Sequence, residues 1–167
     1  MPSFNFTATI GRKKVYDKSF ALKFSVHVDT KKLREAIEKL TGSIRERCLR
    51  HFERFYSDGD KEVEIFIYKF PQMTSSGLAK NNFIRRNLRP ANIVDLLVIF
   101  ECKDILRRRV VIACEETFDL HPNSLVLGGR ENPALDFRGG KASFKMVNTI
   151  DSSPAVRRYF CYMALRY

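Results

Sequence analysis

The sequence predicts a single α+β domain in which a largely antiparallel sheet packs against a long amphipathic helix, with a further helix at the C-terminus. Three observations carry that reading. Phe20, Leu22, Phe24, Val26 and Val28 are apolar, with Lys23, Ser25 and His27 between them, which is the alternation of a strand with one buried face. The period then changes: Leu33, Ile37, Leu40, Ile44, Cys48, Phe52 and Phe55 recur at three- and four-residue steps, as on one stripe of a helix. Finally, 167 residues of which 44% are hydrophobic suffice for one packed core and are too few for two.

Taken in order, residues 4–10 alternate apolar and polar side chains and read as a first strand. A basic turn at Arg12, Lys13 and Lys14 leads to the strand over 20–28, its expected partner. Asp29 and Thr30 are good N-caps for a helix reaching residue 56, the longest element expected. Gly42 is its weak point, costing about 1 kcal/mol relative to Ala in a helix interior, and is where it would kink or split. Residues 63–70, β-branched and aromatic, form a strand that Pro71 stops. Residues 71–92 show no sustained period and read as a long exposed basic loop with Lys80, Arg85, Arg86 and Arg89. The apolar runs 93–102 and 110–114 read as a central hairpin joined through Arg107, Arg108 and Arg109. Gly128-Gly129 and Gly139-Gly140 mark turns, and 142–147 is a further strand. At the C-terminus, Ser153-Pro154 starts a helix with Val156, Tyr159, Phe160 and Met163 on one stripe. Tyr159, Cys161, Met163 and Leu165 also alternate, so a strand fits too, and the helix is the reading taken.

The charge points outward to a partner. Thirty Lys and Arg against nineteen Asp and Glu give a net charge of +11, which suits a polyanion or an anionic bilayer. Fourteen Phe and six Tyr set the chain apart from disordered basic tails, which lack apolar mass. No signal peptide is visible, and the longest apolar stretch is short of the roughly 18 to 20 residues that span a bilayer, so a peripheral membrane contact and no secretion are expected. Cys48, Cys102, Cys114 and Cys161 are scattered and read as buried or free thiols in a reducing cytoplasm or nucleus.

No catalytic constellation stands out. Glu101-Cys102-Lys103 at a strand end resembles part of the metal-dependent nuclease pattern PD-(D/E)xK, yet Asp95 would lie about 20 Å away along the same strand, too far to share an ion. Asp60, Glu62 and Glu64 would have to be brought in by the fold. Cys48 and His51, with His27 or His121 as remote ligands, offer only one short pair, whereas zinc sites usually show two. No catalytic residue, metal or cofactor is therefore expected. The basic runs remain: Arg12, Lys13 and Lys14; Lys31 and Lys32; Lys80, Arg85, Arg86 and Arg89; Arg107, Arg108 and Arg109; Arg157 and Arg158. Each run alone is an ordinary solvated face. Together they favour phosphate, in RNA or in lipid head groups.

The order of elements, with the 20–28 strand, the 30–56 helix, the 63–70 strand, the 71–92 loop, the segment Arg86-Asn87-Leu88-Arg89-Pro90-Ala91-Asn92-Ile93 and the Ser-Ser-started C-terminal helix, resembles the matrix proteins of rhabdoviruses, in their shorter plant-virus form. The resemblance is one of layout. It implies a non-enzymatic virion protein of host cytoplasm or nucleus that condenses the nucleocapsid, lies on an anionic membrane and forms homo-oligomers. It places self-association in the 71–92 region, with Met73, Leu78, Phe83, Ile84 and Leu88 as its apolar residues. The chain departs from the animal-virus members in lacking Pro-Pro-x-Tyr and Pro-Thr/Ser-Ala-Pro budding motifs. An RNA-binding silencing suppressor and a metal-dependent nuclease stand as alternatives.

Overall fold

A computed structural model describes residues 8–11, 20–70, 74–119 and 130–166. Its centre is one mixed sheet. Strands β1 (Ala8–Gly11), β2 (Phe20–Val28) and β3 (Lys61–Tyr68) lead to β9 (Phe160–Arg166), then to β5 (Val110–Ala113), β7 (Arg130–Asp136) and β6 (Phe118–Asp119). The short β4 (Arg89–Pro90) also pairs with β9, and β8 (Ser143–Val147) with β7. Every pairing is antiparallel except β5 with β9, where Val110 lies opposite Phe160 and Ala113 opposite Met163.

The strands expected over 20–28, 63–70 and 142–147 are present, and the first strand pairs with the second as expected. Residues 4–7 and the turn at 12–14 lie outside the described residues. Four other expectations are corrected.

The 30–56 helix is two helices, α1 (Thr30–Glu38) and α2 (Gly42–Phe55). Gly42 adopts φ +70°, which an L side chain disfavours, so the chain turns there and the two helices pack side by side instead of in line. Asp29 caps α1, its side chain accepting from the Lys32 N–H, and Asp60 accepts from the N–H and hydroxyl of Thr30.

The 71–92 segment is not a continuous exposed loop. It contains α3 (Ser76–Arg85), capped by the Ser75 side chain, which accepts from the Leu78 N–H. Only Ser76, Ala79 and Phe83 of this helix are buried, too few to make a visible helical period.

The 93–102 run is not a strand and makes no hairpin with 110–114. Residues Ile93–Val98 form α4, begun by a capping box: the Asn92 side chain accepts from the Val94 and Asp95 N–H groups, and the Asp95 carboxylate accepts from the Asn92 N–H. All six residues of α4 are buried, so the helix has no polar face to set a period.

The C-terminus is a strand. The expected helix shrinks to one turn, α5 (Pro154–Arg157), and β9 follows as the central strand of the sheet. Cys161, Met163 and Leu165 face the core beneath α1, α2 and α4, while Phe160, Tyr162 and Ala164 face the second core that includes Ala79 and Phe83 of α3. Both faces are apolar, so alternation alone could not mark β9 as a strand. Each buried Leu, Met or Phe here contributes about 1.5–3 kcal/mol.

One buried polar cluster ties the layers together. Asp95 is fully buried and accepts two hydrogen bonds from the Arg89 guanidinium, at 2.7 and 3.0 Å, and one from the Tyr56 hydroxyl at the end of α2. Replacing Asp95 by Ala leaves the Arg89 guanidinium without its carboxylate in a mostly buried position, and a loss of about 3–5 kcal/mol is expected in urea unfolding. A loss within 1 kcal/mol would show that the cluster contributes little.

Candidate anion-binding surface

The parallel pairing of β5 with β9 decides where the basic runs fall. Parallel neighbours start at the same end of a sheet, so the Arg107–109 turn before β5 and the Arg157–158 turn before β9 are brought side by side. The Val110 N–H donates to the Tyr159 carbonyl at 2.9 Å and fixes the junction. The antiparallel pairing of β5 with β7 sets Val110 opposite Asp136, which adds the β7–β8 turn with Arg138 and Lys141 to the same end. The β3–β9 pairing adds Lys69, whose ammonium donates to the Arg158 carbonyl. Lys69, Arg107, Arg108, Arg109, Arg138, Lys141, Arg157 and Arg158 thus surround one end of the sheet.

Local structure holds these side chains out. Arg108 sits at φ +65°, a left-handed conformation that costs a non-glycine residue about 1–2 kcal/mol. It is kept there because its N–H donates to the Phe137 carbonyl and the Phe137 N–H donates back to the Arg109 carbonyl. Arg107 and Arg108 are consequently exposed at the tip of a tight turn. In the neighbouring hairpin, Gly140 at φ +82° makes the reversal, and the Asp136 carboxylate accepts from the Arg138 N–H to close the turn. Tyr159 lies at the centre, with the Arg158 guanidinium 4.7 Å and that of Arg138 5.2 Å from its ring centroid.

The charges divide into two kinds. Arg138 forms a fork-to-fork pair with Asp136, and Lys145 holds the same carboxylate at 2.6 Å. These bonds outweigh the cost of burial and hold the Asp136 carboxyl well below the usual range. Among the described residues, Arg107, Arg108, Lys141, Arg157 and Arg158 form no ion pair with a carboxylate. Arg157 donates to the Ile150 carbonyl and Arg158 to the Tyr159 hydroxyl, and the remaining donors of the group can meet an external anion.

The other expected anion-binding residues do not join this group. Lys31 and Lys32 start α1 at the opposite end, among Asp29, Asp58, Asp60 and Glu62, so the local charge is balanced. The Arg89 fork is taken up by Asp95, and Arg86 lies over the Tyr68 ring. Lys80 donates to the Glu115 carbonyl, while Arg85 is exposed on α3. Arg12, Lys13 and Lys14 lie outside the described residues. Of the apolar residues assigned to self-association, Phe83 and Leu88 belong to the core, Leu78 and Ile84 are 64% and 53% exposed, and Met73 lies outside the described residues. Lys69, Arg138 and Lys141 were not singled out in the sequence, because each stands apart from a basic run, and Tyr159, next to Arg158, was read only as part of the C-terminal element.

The nuclease constellation does not assemble. Glu101 and Lys103 lie exposed on the turns after α4, Asp95 is committed to Arg89, Asp60 caps Thr30 and Glu64 pairs with Lys23 at 2.6 Å. The four cysteines are buried and free; burial pushes Cys102 and Cys114 to about 12, and burial with the nearby Glu116 pushes Cys48 to about 11. They are poor nucleophiles.

Comparison with protein-family models, with curated proteins and with solved structures finds no match. No helix among the described residues is long and apolar enough to cross a membrane.

The Asp136 cluster gives this end a pH signature. Its carboxyl titrates lower in the folded protein than in the unfolded chain, so its stabilisation is complete above the unfolded value of 3.8 and is lost as pH falls towards the folded one. Asp136→Asn is expected to flatten the fall in unfolding free energy between about pH 5 and pH 2. An unchanged profile would remove Asp136 as its source.

Proposed function

We propose that the protein is a non-enzymatic structural protein of viral matrix type, which holds the phosphates of a ribonucleoprotein against the basic end of its sheet. The observation that carries this is the convergence of five arginine and lysine side chains without a carboxylate partner on three adjoining turns. Arginine forks match phosphate oxygens bidentately, and contacts of this kind follow the backbone without reading bases. A few such contacts bind weakly. Self-association multiplies them, and the outward side of α3, with Leu78, Ile84 and Arg85 exposed, is the surface assigned to that step. An anionic bilayer offers the same phosphate chemistry and is the second partner of this reading, as are the virion and host cytoplasm or nucleus its setting.

The test is sedimentation with single-stranded RNA and, separately, with vesicles containing anionic lipid across a salt series. The double variant Arg107→Ala/Arg108→Asn keeps a residue that tolerates positive φ at 108 and removes two charges. It should lower the slope of log affinity against log salt for RNA by about 1.4. A slope equal to wild type would exclude this turn from the interface. Binding to vesicles alone would redirect the reading to a membrane protein.

The assembly step has its own test. Leu78→Ser/Ile84→Ser should alter unfolding free energy by no more than about 0.5 kcal/mol per site, because both side chains are exposed. Sedimentation velocity should show assembly displaced to higher protein concentration. Unaltered assembly would free α3 from that role.

A further inference from the structure

At the other end of β5 from the Arg107–109 turn, a second group of side chains is unexplained by anion binding. His51 on α2 faces Glu115 and Glu116, which follow β5. One donor atom from each of the three residues lies within 4.8 Å of the others. The His51 Nδ1 is 3.8 Å from Glu115 Oε2, and its Nε2 is 2.5 Å from Glu116 Oε1. His51, Glu115 and Glu116 side chains are 14%, 20% and 28% exposed, so the group is largely covered yet open to solvent on one side.

Two features set it apart from an ordinary surface ion pair. Glu115 Oε2 is buried and has no hydrogen-bond partner among the described residues. A carboxylate oxygen taken out of water without a donor costs several kcal/mol and calls for an ion or water to complete it. The group is also braced from behind. Arg47 holds the far oxygen of Glu116 at 3.2 Å while its guanidinium lies 4.0 Å from the Phe118 ring centroid, and Asn132 donates to the Glu116 carbonyl at 3.0 Å. The Glu115 N–H donates to the Ala91 carbonyl and the Lys80 ammonium to the Glu115 carbonyl, which fixes the backbone carrying the second carboxylate.

We propose that His51, Glu115 and Glu116 bind one divalent transition-metal ion, with zinc the best match, and that the ion fastens α2 to the segment after β5. One imidazole and two carboxylates form a mixed nitrogen and oxygen set suited to zinc, with a water completing four ligands. Bonds of about 2.1 Å in a tetrahedron place ligand atoms about 3.4 Å apart, near the 3.8 Å between His51 Nδ1 and Glu115 Oε2, whereas the 2.5 Å bond between Nε2 and Glu116 Oε1 has to open for Glu116 to turn to the same ion. Arg47 orients Glu116 through the oxygen turned away from the ion, the part a positioning residue plays. Cys48, one turn before His51, is outside the donor set.

The test uses the full chain freed of metal with a chelator, then titrated calorimetrically with Zn²⁺, and with Co²⁺ followed by its visible spectrum. One ion per chain and a raised melting temperature are expected. Glu115→Gln and His51→Ala should each weaken binding by at least about tenfold, Arg47→Ala by less, and the exposed Glu62→Gln not at all. Circular dichroism shows whether each variant is folded, and wild-type stoichiometry stands whatever the variants do. The proposal is overturned by no saturable binding at one ion per chain. Equal affinity in folded Glu115→Gln and His51→Ala would overturn it too, as would a thiolate-to-cobalt charge-transfer band, which means that a cysteine is the ligand.

Discussion

Asp95 is the point on which the layers of this molecule depend. Its carboxylate starts α4 by accepting from the Asn92 N–H, takes the Arg89 fork from β4 and takes the Tyr56 hydroxyl from the end of α2. The end of α2 and the adjoining β4 and α4, 39 residues further along the chain, therefore share one buried charge. β4 is held alongside Leu165 and Ala164 of β9, so the cluster also bears on the central strand. A buried ion pair of this kind adds little over an apolar substitute, because desolvation offsets most of the attraction. What it supplies is geometry. Moving β4 against α4 would leave the carboxylate and the guanidinium unpaired, and moving α2 would strand the buried Tyr56 hydroxyl, so these costs select a single arrangement of α2, α4 and β4.

The sequence made visible those elements that have one face in water. β2 and β8 alternate because their outward side chains are polar, and the stripe on α1 and α2 shows because their far sides are charged. β9 and α4 were misread for the same reason in opposite directions. Both are covered on all sides, so the strand and the helix are each written as a largely apolar run without a polar face. The signal that marks α4 is local instead of periodic, and the strand reading passed over it: Asn92 and Asp95, three residues apart, form a capping box. Gly42 likewise marked the break between α1 and α2, and φ +70° there is the physical reason.

The basic site was legible only in part, because its unity is a property of topology. Arg107–109 and Arg157–158 stand out as runs, but they lie fifty residues apart and meet only because β5 and β9 run parallel. Reading residues 160–166 as helix removed the very strand that joins them. Arg138 and Lys141 gave no signal of their own, since two glycines separate them, and Lys69 is a single residue at the end of β3. The sequence also could not show which cations are already used. Arg89, Arg138 and Arg47 are all committed to carboxylates, and a count of charges treats them like Arg107 and Arg108.

That sorting makes the molecule electrostatically lopsided, and the lopsidedness bears on the proposed role more than the total of +11 does. At one end of β3 the turns carry Arg107, Arg108, Lys141, Arg157 and Arg158 without carboxylate partners among the described residues. At the other, Lys31 and Lys32 sit among Asp29, Asp58, Asp60 and Glu62. The eight residues of β3 separate these ends by about 26 Å, several times the screening length of about 8 Å at physiological salt. The acidic groups at the far end therefore do little to weaken attraction at the basic end. A polyanion would draw the molecule in with its β5 and β9 turns foremost, leaving the α1 end pointing away and the outer side of α3 free at the flank. Copies bound to one strand of phosphate would share that orientation, so contacts between flanks would repeat from copy to copy, which is the condition under which weak single contacts add up to a stable coat.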